Sequence, residues 1–252
     1  MTAAGPRLEK TILNGQRGFW RRPAAPERKV RVTNKIFCTE NRRDVKWSVK
    51  VNLAKKRQLE FVQFLLARKF EEAERLLAKG ASVHGAVDGE FPIHDCARAT
   101  RSTKPLQWLL SQPEVDLNPL SSQQLTPLMI ACSNGGKIGS DAAELLLEAG
   151  AAVKYRRSDG MSALEFAAKN CRPSIVRSLV AKGLPINGPR GCDQTPAMLA
   201  ARSDNLECLK TLEELGADLS RKCKLPWAKG YTCLELAEAE KSKKVIAYLR
   251  AK

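Results

Sequence analysis

Three consecutive residues carry the side chains of an activated thiol: His94, Asp95 and Cys96 supply a base, a carboxylate and a nucleophile. Neighbouring residues on a helix point in different directions, so this trio is not expected to converge on one substrate atom. The only other histidine is His84, the eight cysteines form no C-x-x-C pair, and no glycine-rich phosphate-binding motif is present. The sequence therefore predicts a protein without catalytic activity, cofactor or metal site.

Positively charged residues are concentrated in the first 57 residues of the chain. They contain 16 Lys or Arg against 4 Asp or Glu, a net charge of +12, whereas the rest of the chain carries only +4. Cations that neutralise phosphates and rings that stack on unpaired bases are the side chains that RNA binding requires. The predicted RNA-binding residues are Arg17, Phe19, Trp20, Arg21, Arg22, Arg28, Lys29, Arg31, Arg42, Arg43, Lys46 and Trp47. Two simpler interpretations are a solvated tail and an import signal.

Basic and aromatic residues return in polar connecting segments of the C-terminal half. They are Lys154, Tyr155, Arg156, Arg157, Arg190, Arg221, Lys222, Lys224, Trp227 and Lys229. If the fold places these segments side by side, the residues form a strip that binds RNA or an acidic partner. The alternative is that charge at turns only keeps the surface soluble.

The elements that position these residues come from a repeated pattern. Residues 125–132 (LTPLMIAC) are matched by 161–168, 194–201 and 231–237, and a weaker copy reads 91–97. The copies follow one another at steps of 33 to 37 residues, and a glycine that closes an apolar segment keeps the same register. Thr and Pro favour a helix start and Gly favours a helix end, so each repeat is predicted to be a pair of helices. One pair cannot bury its own apolar face, so the pairs must stack.

These motifs resemble the ankyrin repeat, whose pattern is T-P-L-H-x-A followed by a second helix and Gly-Ala. The resemblance covers residues 58–252 and implies an all-α ankyrin-repeat solenoid, preceded by an extended and irregular basic tail over residues 1–57. A leading unit is expected at 58–84, with one helix from about Gln58 to Ala67 and another around Glu71 to Ala78. About five fuller repeats are expected, at 88–118, 121–154, 158–187, 191–220 and 228–252.

The resemblance also assigns places within the repeat. The motif histidine supports a turn by hydrogen bonding, which is the role implied for His94. The connections between repeats, called fingers below, line up along one edge, so the later cations are expected to share that edge. Two departures from the repeat length mark insertions: three extra residues within 135–140, expected as a loop between helices, and four around 224–227, expected in a lengthened finger. Insertions in repeat proteins often map to a binding face.

The sequence thus favours a non-enzymatic structural and protein-interaction scaffold, anchored by its tail to RNA, expected to be ribosomal RNA, in a ribonucleoprotein such as a mitochondrial ribosome. One alternative is an adaptor that binds a protein on its concave face; another is a microtubule- or membrane-associated scaffold. Cysteines at small, buried repeat positions indicate a reducing intracellular compartment, with the mitochondrial matrix favoured over the cytoplasm. No small-molecule substrate is expected, and no apolar segment approaches the ~18 residues of a transmembrane helix.

Overall fold

The described part of the protein is built from six helical pairs that follow one another along the chain. The computed structural model describes residues 42–189 and 193–252, with side chains from residue 52 onward. The first helices of the pairs are α1 (Arg42–Leu66), α3 (Pro92–Arg98), α5 (Pro127–Asn134), α7 (Ala163–Asn170), α9 (Pro196–Arg202) and α11 (Cys233–Ala239). The second helices are α2 (Phe70–Ala78), α4 (Lys104–Leu110), α6 (Gly136–Glu148), α8 (Pro173–Ala181), α10 (Leu206–Glu214) and α12 (Lys243–Arg250). The described chain is otherwise turns, a 3-10 turn at Pro226–Ala228 and one isolated β-bridge between Val87 and Glu90.

Hydroxyl side chains start α5 and α9, as the Thr-Pro pairs at these positions predict. The hydroxyls of Thr126 and Thr195 accept hydrogen bonds from the backbone N–H groups of Met129 and Met198, at 3.3 and 3.2 Å. Proline follows each of these threonines at the first helical position, where its missing N–H costs nothing. These bonds satisfy amide groups that a helix start would otherwise leave without a partner.

Small side chains let the units stack closely. First helices pack against the first helices of neighbouring units, and second helices form a layer behind them. The contact positions of the first helices are held by alanines that are fully buried, such as Ala131, Ala167, Ala200 and Ala237. Because each interface is close-packed around such a side chain, a larger residue there would force the helices apart.

Asparagine amides tie consecutive units together behind the first helices. The amide nitrogens of Asn134 and Asn170 donate to the carbonyls of Ala97 and Ser133 in the preceding unit, at 3.2 and 2.9 Å. The amide of Asn205 does more, since its nitrogen donates to Ala168 O at 3.2 Å while its oxygen caps α10. Backbone groups at the ends of the first helices are therefore satisfied by the next unit along the stack.

The first helix is longer than the sequence predicted. It begins at Arg42, so residues 42–57, predicted to be irregular, are helical and continue directly into the segment from Gln58. The prediction followed the apolar periodicity, which starts late because, among the α1 side chains that the structure describes, only Phe61 and Leu65 are fully buried. Neither proline nor glycine occurs between residues 42 and 66 to stop the helix from extending towards the N-terminus.

The three extra residues within 135–140 do not form the loop that the sequence predicted. Helix α6 begins at Gly136 and has 13 residues, against 9 in α8 and in α10, so the insertion is an additional turn of helix. Gly135, at φ 59°, makes the whole connection to α5. A side chain there would collide with Asn170, and one on Gly139 would lie 2.7 Å from Ala131 O. Glycine therefore allows the lengthened helix to pack on its neighbours.

The fingers lie beside one another, as the resemblance implied. Asn118 Oδ1 accepts from Ala152 N at 2.8 Å, and Asn187 Oδ1 accepts from Asp218 N at 2.9 Å, each bond joining two successive fingers. The prediction that the fingers share one edge is confirmed for these pairs. None of the helices described is both long enough and apolar enough to cross a membrane.

Candidate partner-binding site

The finger between α6 and α7 contains four of the predicted binding residues, but its two arginines form bonds within the finger. Arg156 donates to Gly160 O at 3.0 Å, and Arg157 pairs with the carboxylate of Asp159. Lys154 and Tyr155 are exposed, and the tyrosine has 40% of its surface free. The predicted strip is therefore weaker here than a count of cations suggests, because two guanidinium groups stabilise the turn that carries them.

The finger between α10 and α11 exposes more of the predicted cations. Lys222, Lys224 and Lys229 are exposed, whereas Arg221 is half-buried and donates to Asn187 O of the adjacent finger at 2.9 Å. Three lysines of this finger thus remain at the surface, next to Trp227, while the arginine holds two fingers together.

The other predicted residues lie where the structure gives no side chains. The residues outside the described ranges are Arg17, Phe19, Trp20, Arg21, Arg22, Arg28, Lys29, Arg31 and Arg190. Four more residues of the predicted tail, Arg42, Arg43, Lys46 and Trp47, lie on the first part of α1, before the side chains that the structure describes.

The lengthened finger predicted around 224–227 is a closed loop that displays one aromatic ring. Two hydrogen bonds of 2.8 Å close the base of this loop, from Cys223 N to Tyr231 O and from Gly230 N to Cys223 O. Within the loop, the 3-10 turn buries Ala228 completely but leaves Trp227 with 53% of its surface exposed. The insertion therefore displays the indole and is anchored in the core by an alanine.

The indole is held in place by an arginine of the preceding unit. The guanidinium carbon of Arg202, on α9, lies 4.8 Å from the centre of the Trp227 ring. Arg202 is fixed in turn, because its Nε and Nη2 donate to Glu240 Oε1 at 3.1 and 2.8 Å and its Nη1 donates to Gln194 Oε1 at 3.2 Å. We call Gln194, Arg202, Trp227 and Glu240 the Trp227 cluster.

Two shallow cavities flank the cluster and share one wall, Leu199 of α9. The smaller, of about 150 Å³, is lined on the finger side by Met161, Asp193 and Leu225. The larger, of about 400 Å³, reaches along the first helices past Lys169 to Glu240. Apolar and charged groups therefore alternate on this face, which the first helices and fingers form together. The resemblance implies that this is the concave face.

The trio that suggested an activated thiol is not arranged for catalysis. The ring of His94 is buried; its Nδ1 accepts from Phe91 N at 3.2 Å, and its Nε2 lies 3.0 Å from Pro119 O. Asp95 pairs with Arg98 instead of the imidazole, and burial raises the pKa of the Cys96 thiol far above its usual range. The turn-supporting role of His94 is confirmed. Among the side chains described, no three His, Cys, Asp or Glu residues are grouped to hold a metal ion.

Sequence reasoning missed three members of the cluster. Gln194, Arg202 and Glu240 lie on two different units, and no local motif connects them with Trp227. The one available signal was the repeat length, since the four extra residues around 224–227 marked this finger as different. Once the loop folds back on α9, the residue that meets its ring follows from the packing of the units.

Comparison with known proteins agrees with this architecture. Residues 51–157, 93–190 and 138–223 each match a family model described as ankyrin repeats in three copies. A putative ankyrin repeat protein of Acanthamoeba polyphaga mimivirus is 31% identical over 97 residues, which make up 37% of this chain. The matched part spans only 13% of that viral protein's length.

Proposed function

Because the chain belongs to the ankyrin-repeat family, whose repeats form protein-interaction scaffolds, we propose that it is a non-enzymatic scaffold that binds a partner protein at the Trp227 cluster. The observation that carries the proposal is the exposed indole of Trp227, fixed against Arg202 on the face of the first helices. Tryptophan and arginine are the residues most enriched at the energetic centres of protein interfaces.

The cluster is ordered before any partner binds. A large exposed ring is unfavourable in water, and the core of this finger does not require it, because Ala228 fills the buried position. Stacking on Arg202 restricts the ring, and the two bonds from Arg202 to Glu240 restrict the arginine. A side chain that is already restricted loses little conformational entropy on binding, so more of the contact energy appears as affinity.

The charges around the cluster indicate the chemistry of the partner. Within the described chain, the side-chain ammonium groups of Lys169, Lys224 and Lys229 have no ion-pair partner, whereas Glu240 is already engaged by Arg202. Three carboxylates line the smaller cavity, of which Asp159 pairs with Arg157 and Glu165 accepts from Ser162 N, so only that of Asp193 opposes the lysines. The apolar surface between them comes mainly from Trp227, with a small contribution from Leu199, which is 7% exposed and lines both flanking cavities. The fitting partner is therefore a protein segment that places an apolar or aromatic residue on the indole and acidic residues beside it.

Selection from a library of displayed short peptides tests this proposal. Wild-type protein is expected to enrich peptides that combine an aromatic or large apolar residue with Asp or Glu, and the Trp227→Ala variant is expected not to. The matched control is Leu120→Ala, which removes an exposed apolar side chain from a finger three units away. Equal enrichment by wild type and Trp227→Ala would reject the cluster as the binding site.

A second part of the proposal concerns the assembly to which the scaffold is anchored. We propose that the basic N-terminal residues anchor this scaffold to RNA in a ribonucleoprotein, with a mitochondrial ribosome as the first candidate. Its support is the net charge of +12 over residues 1–57 and the aromatic residues interleaved with it. The RNase sensitivity of its sedimentation with large particles separates this setting from an adaptor, a microtubule-associated scaffold or a membrane-associated scaffold. Only RNA anchoring predicts release from the particles by RNase.

A further inference from the structure

A sizeable cavity lies away from the fingers, between the first two units. It measures about 550 Å³ and is bordered by the turn that follows α1 and by the connection between α3 and α4. Both of these segments follow the C-terminal ends of first helices, so they lie at the end of the units opposite to the fingers. The Trp227 cluster belongs to the last units, and the two sites share no residue.

The walls of this groove are partly apolar. Leu66, at the end of α1, keeps 39% of its surface exposed and faces the groove beside Ala67, Ala99 and Pro105. An exposed leucine at the end of a terminal helix can be covered by a second chain without disturbing the core. The groove is therefore able to accept an apolar side chain.

The charges of the groove are unbalanced. Arg98 is engaged twice, by Asp95 at 3.2 Å and by Glu90 at 3.0 Å, so it and its carboxylate partners largely cancel one another. Arg68 and Arg101 line the same groove, and their guanidinium groups have no hydrogen-bond or ion-pair partner in the part of the chain that the structure describes. Two guanidinium groups are consequently available to an anion, and each can bind a carboxylate through two parallel bonds.

The backbone does not require an arginine in this turn. Arg68 has φ 62°, in the left-handed region that glycine tolerates best, and it closes the turn that follows α1. The equivalent turns after α9 and α11 are closed by Asp204, at φ 54°, and by Lys241, at φ 61°. Arg68 is therefore a residue whose charge can be removed without loss of the turn.

We propose that this groove is a second docking site, which binds an acidic segment of a partner protein. Carboxylates of the segment pair with Arg68 and Arg101, and an apolar side chain between them covers Leu66. The proposal does not depend on the Trp227 cluster, because the two surfaces can each be removed separately by substitution.

Binding of a labelled peptide to the full chain provides the test. The probe is the peptide Asp-Glu-Leu-Asp-Glu, followed by fluorescence anisotropy, and all variants also carry Trp227→Ala so that the first site does not contribute. The double substitution Arg68→Gly and Arg101→Ala is expected to weaken binding at least tenfold. Glycine suits φ 62° at residue 68, so the variant is expected to keep the melting temperature of its parent. The control Arg75→Ala removes an exposed arginine from α2 and is expected to leave the affinity unchanged.

Two results would overturn the proposal. One is an unchanged affinity of the double variant for the acidic peptide, which would place the binding elsewhere on the chain. The other is an equal loss of affinity for single-stranded oligouridylate, measured in the same way, which would assign the groove to nucleic-acid phosphate. Because every variant lacks Trp227, failure here leaves the function proposed for the Trp227 cluster untouched.

Discussion

The guanidinium of Arg202 lies over the indole of Trp227, with 4.8 Å between the guanidinium carbon and the ring centre. The two residues belong to successive units, and the contact exists because the finger before α11 is long enough to fold back over α9. The same arginine bonds to Glu240 in the last unit. One side chain therefore joins an exposed ring, a charge pair and two units of the stack into a single surface.

Enlarging a buried alanine tests the packing of that stack. Ala200→Leu places a leucine at a fully buried position of α9, where overpacking is expected to lower the free energy of unfolding by about 1–3 kcal/mol. The loss should extend to α11, because neighbouring repeats share their stability. Urea denaturation measures the effect. The control, Ala239→Leu on the exposed side of α11, should change the free energy of unfolding by less than about 0.5 kcal/mol.

Replacing one amide tests the bonds between units. Asn205→Asp keeps an oxygen that can cap α10 but loses the N–H group that donates to Ala168 O and Cys171 O. A carboxylate would then face carbonyl oxygens, so the variant should lose about 1–3 kcal/mol of stability. Asn52→Asp, on the exposed surface of α1, is the control. Equal melting temperatures for the two variants would show that the amide does not join the units.

Stability should fall below neutral pH through His94. Burial is the largest cause that lowers the pKa of His94, and it outweighs the opposite effects of Pro119 O and Glu90. A histidine whose pKa is lower in the folded chain takes up its proton on unfolding. Its contribution is therefore complete above the ordinary value of 6.5 and is lost as the pH drops below it, by at most about 1.4 kcal/mol per pH unit.

Thermal melts of wild type and His94→Gln between pH 7.5 and pH 5 check this prediction. The variant starts less stable, because it lacks the bonds to Phe91 N and Pro119 O, but its melting temperature should depend less on pH. His84→Gln, which removes the other, exposed histidine, is the control variant. Identical slopes for wild type and His94→Gln would refute the assignment to His94.

The starts of some helices could be predicted from the sequence because they depend on contacts between residues close together in the chain. Thr126 and Thr195 cap helices within three residues of themselves, so the repeated Thr-Pro pair was enough to place α5 and α9. The start of α1 was not readable in this way, since composition suggested an irregular tail while the absence of helix breakers decided the outcome. Residues 135–140 looked like a loop because of their glycines, yet Gly139 serves the close approach of α6 to Ala131 O.

The candidate site was only partly readable. The basic fingers and Trp227 were visible as exposed turn residues, but the hydrogen bonds that engage Arg156 and Arg157 are made within the folded turn. Arg202 is at a position of α9 that any polar residue could occupy. Its role depends on the arrangement of three units, which no single repeat encodes.

Removal of the N-terminal residues tests the proposed anchor. The truncation should end at residue 41. A cut at residue 57, the boundary predicted from the sequence, would remove the part of α1 in which Lys55 pairs with Asp88. A chain starting at Arg42 should melt within a few degrees of the full chain and lose its association with ribonucleoprotein particles. Retention of the truncated chain on the particles would show that residues 1–41 are not the anchor.

The affinity of a selected acidic-aromatic peptide for Trp227→Ala shows directly whether the Trp227 cluster binds the partner. The free energy of unfolding should change by less than about 1 kcal/mol, since the ring is half exposed and Ala228 fills the core. We expect the dissociation constant of the peptide to be at least about tenfold higher for Trp227→Ala than for wild type, and unchanged for Leu120→Ala. A dissociation constant within twofold of wild type, in a variant that is fully folded, would contradict the account.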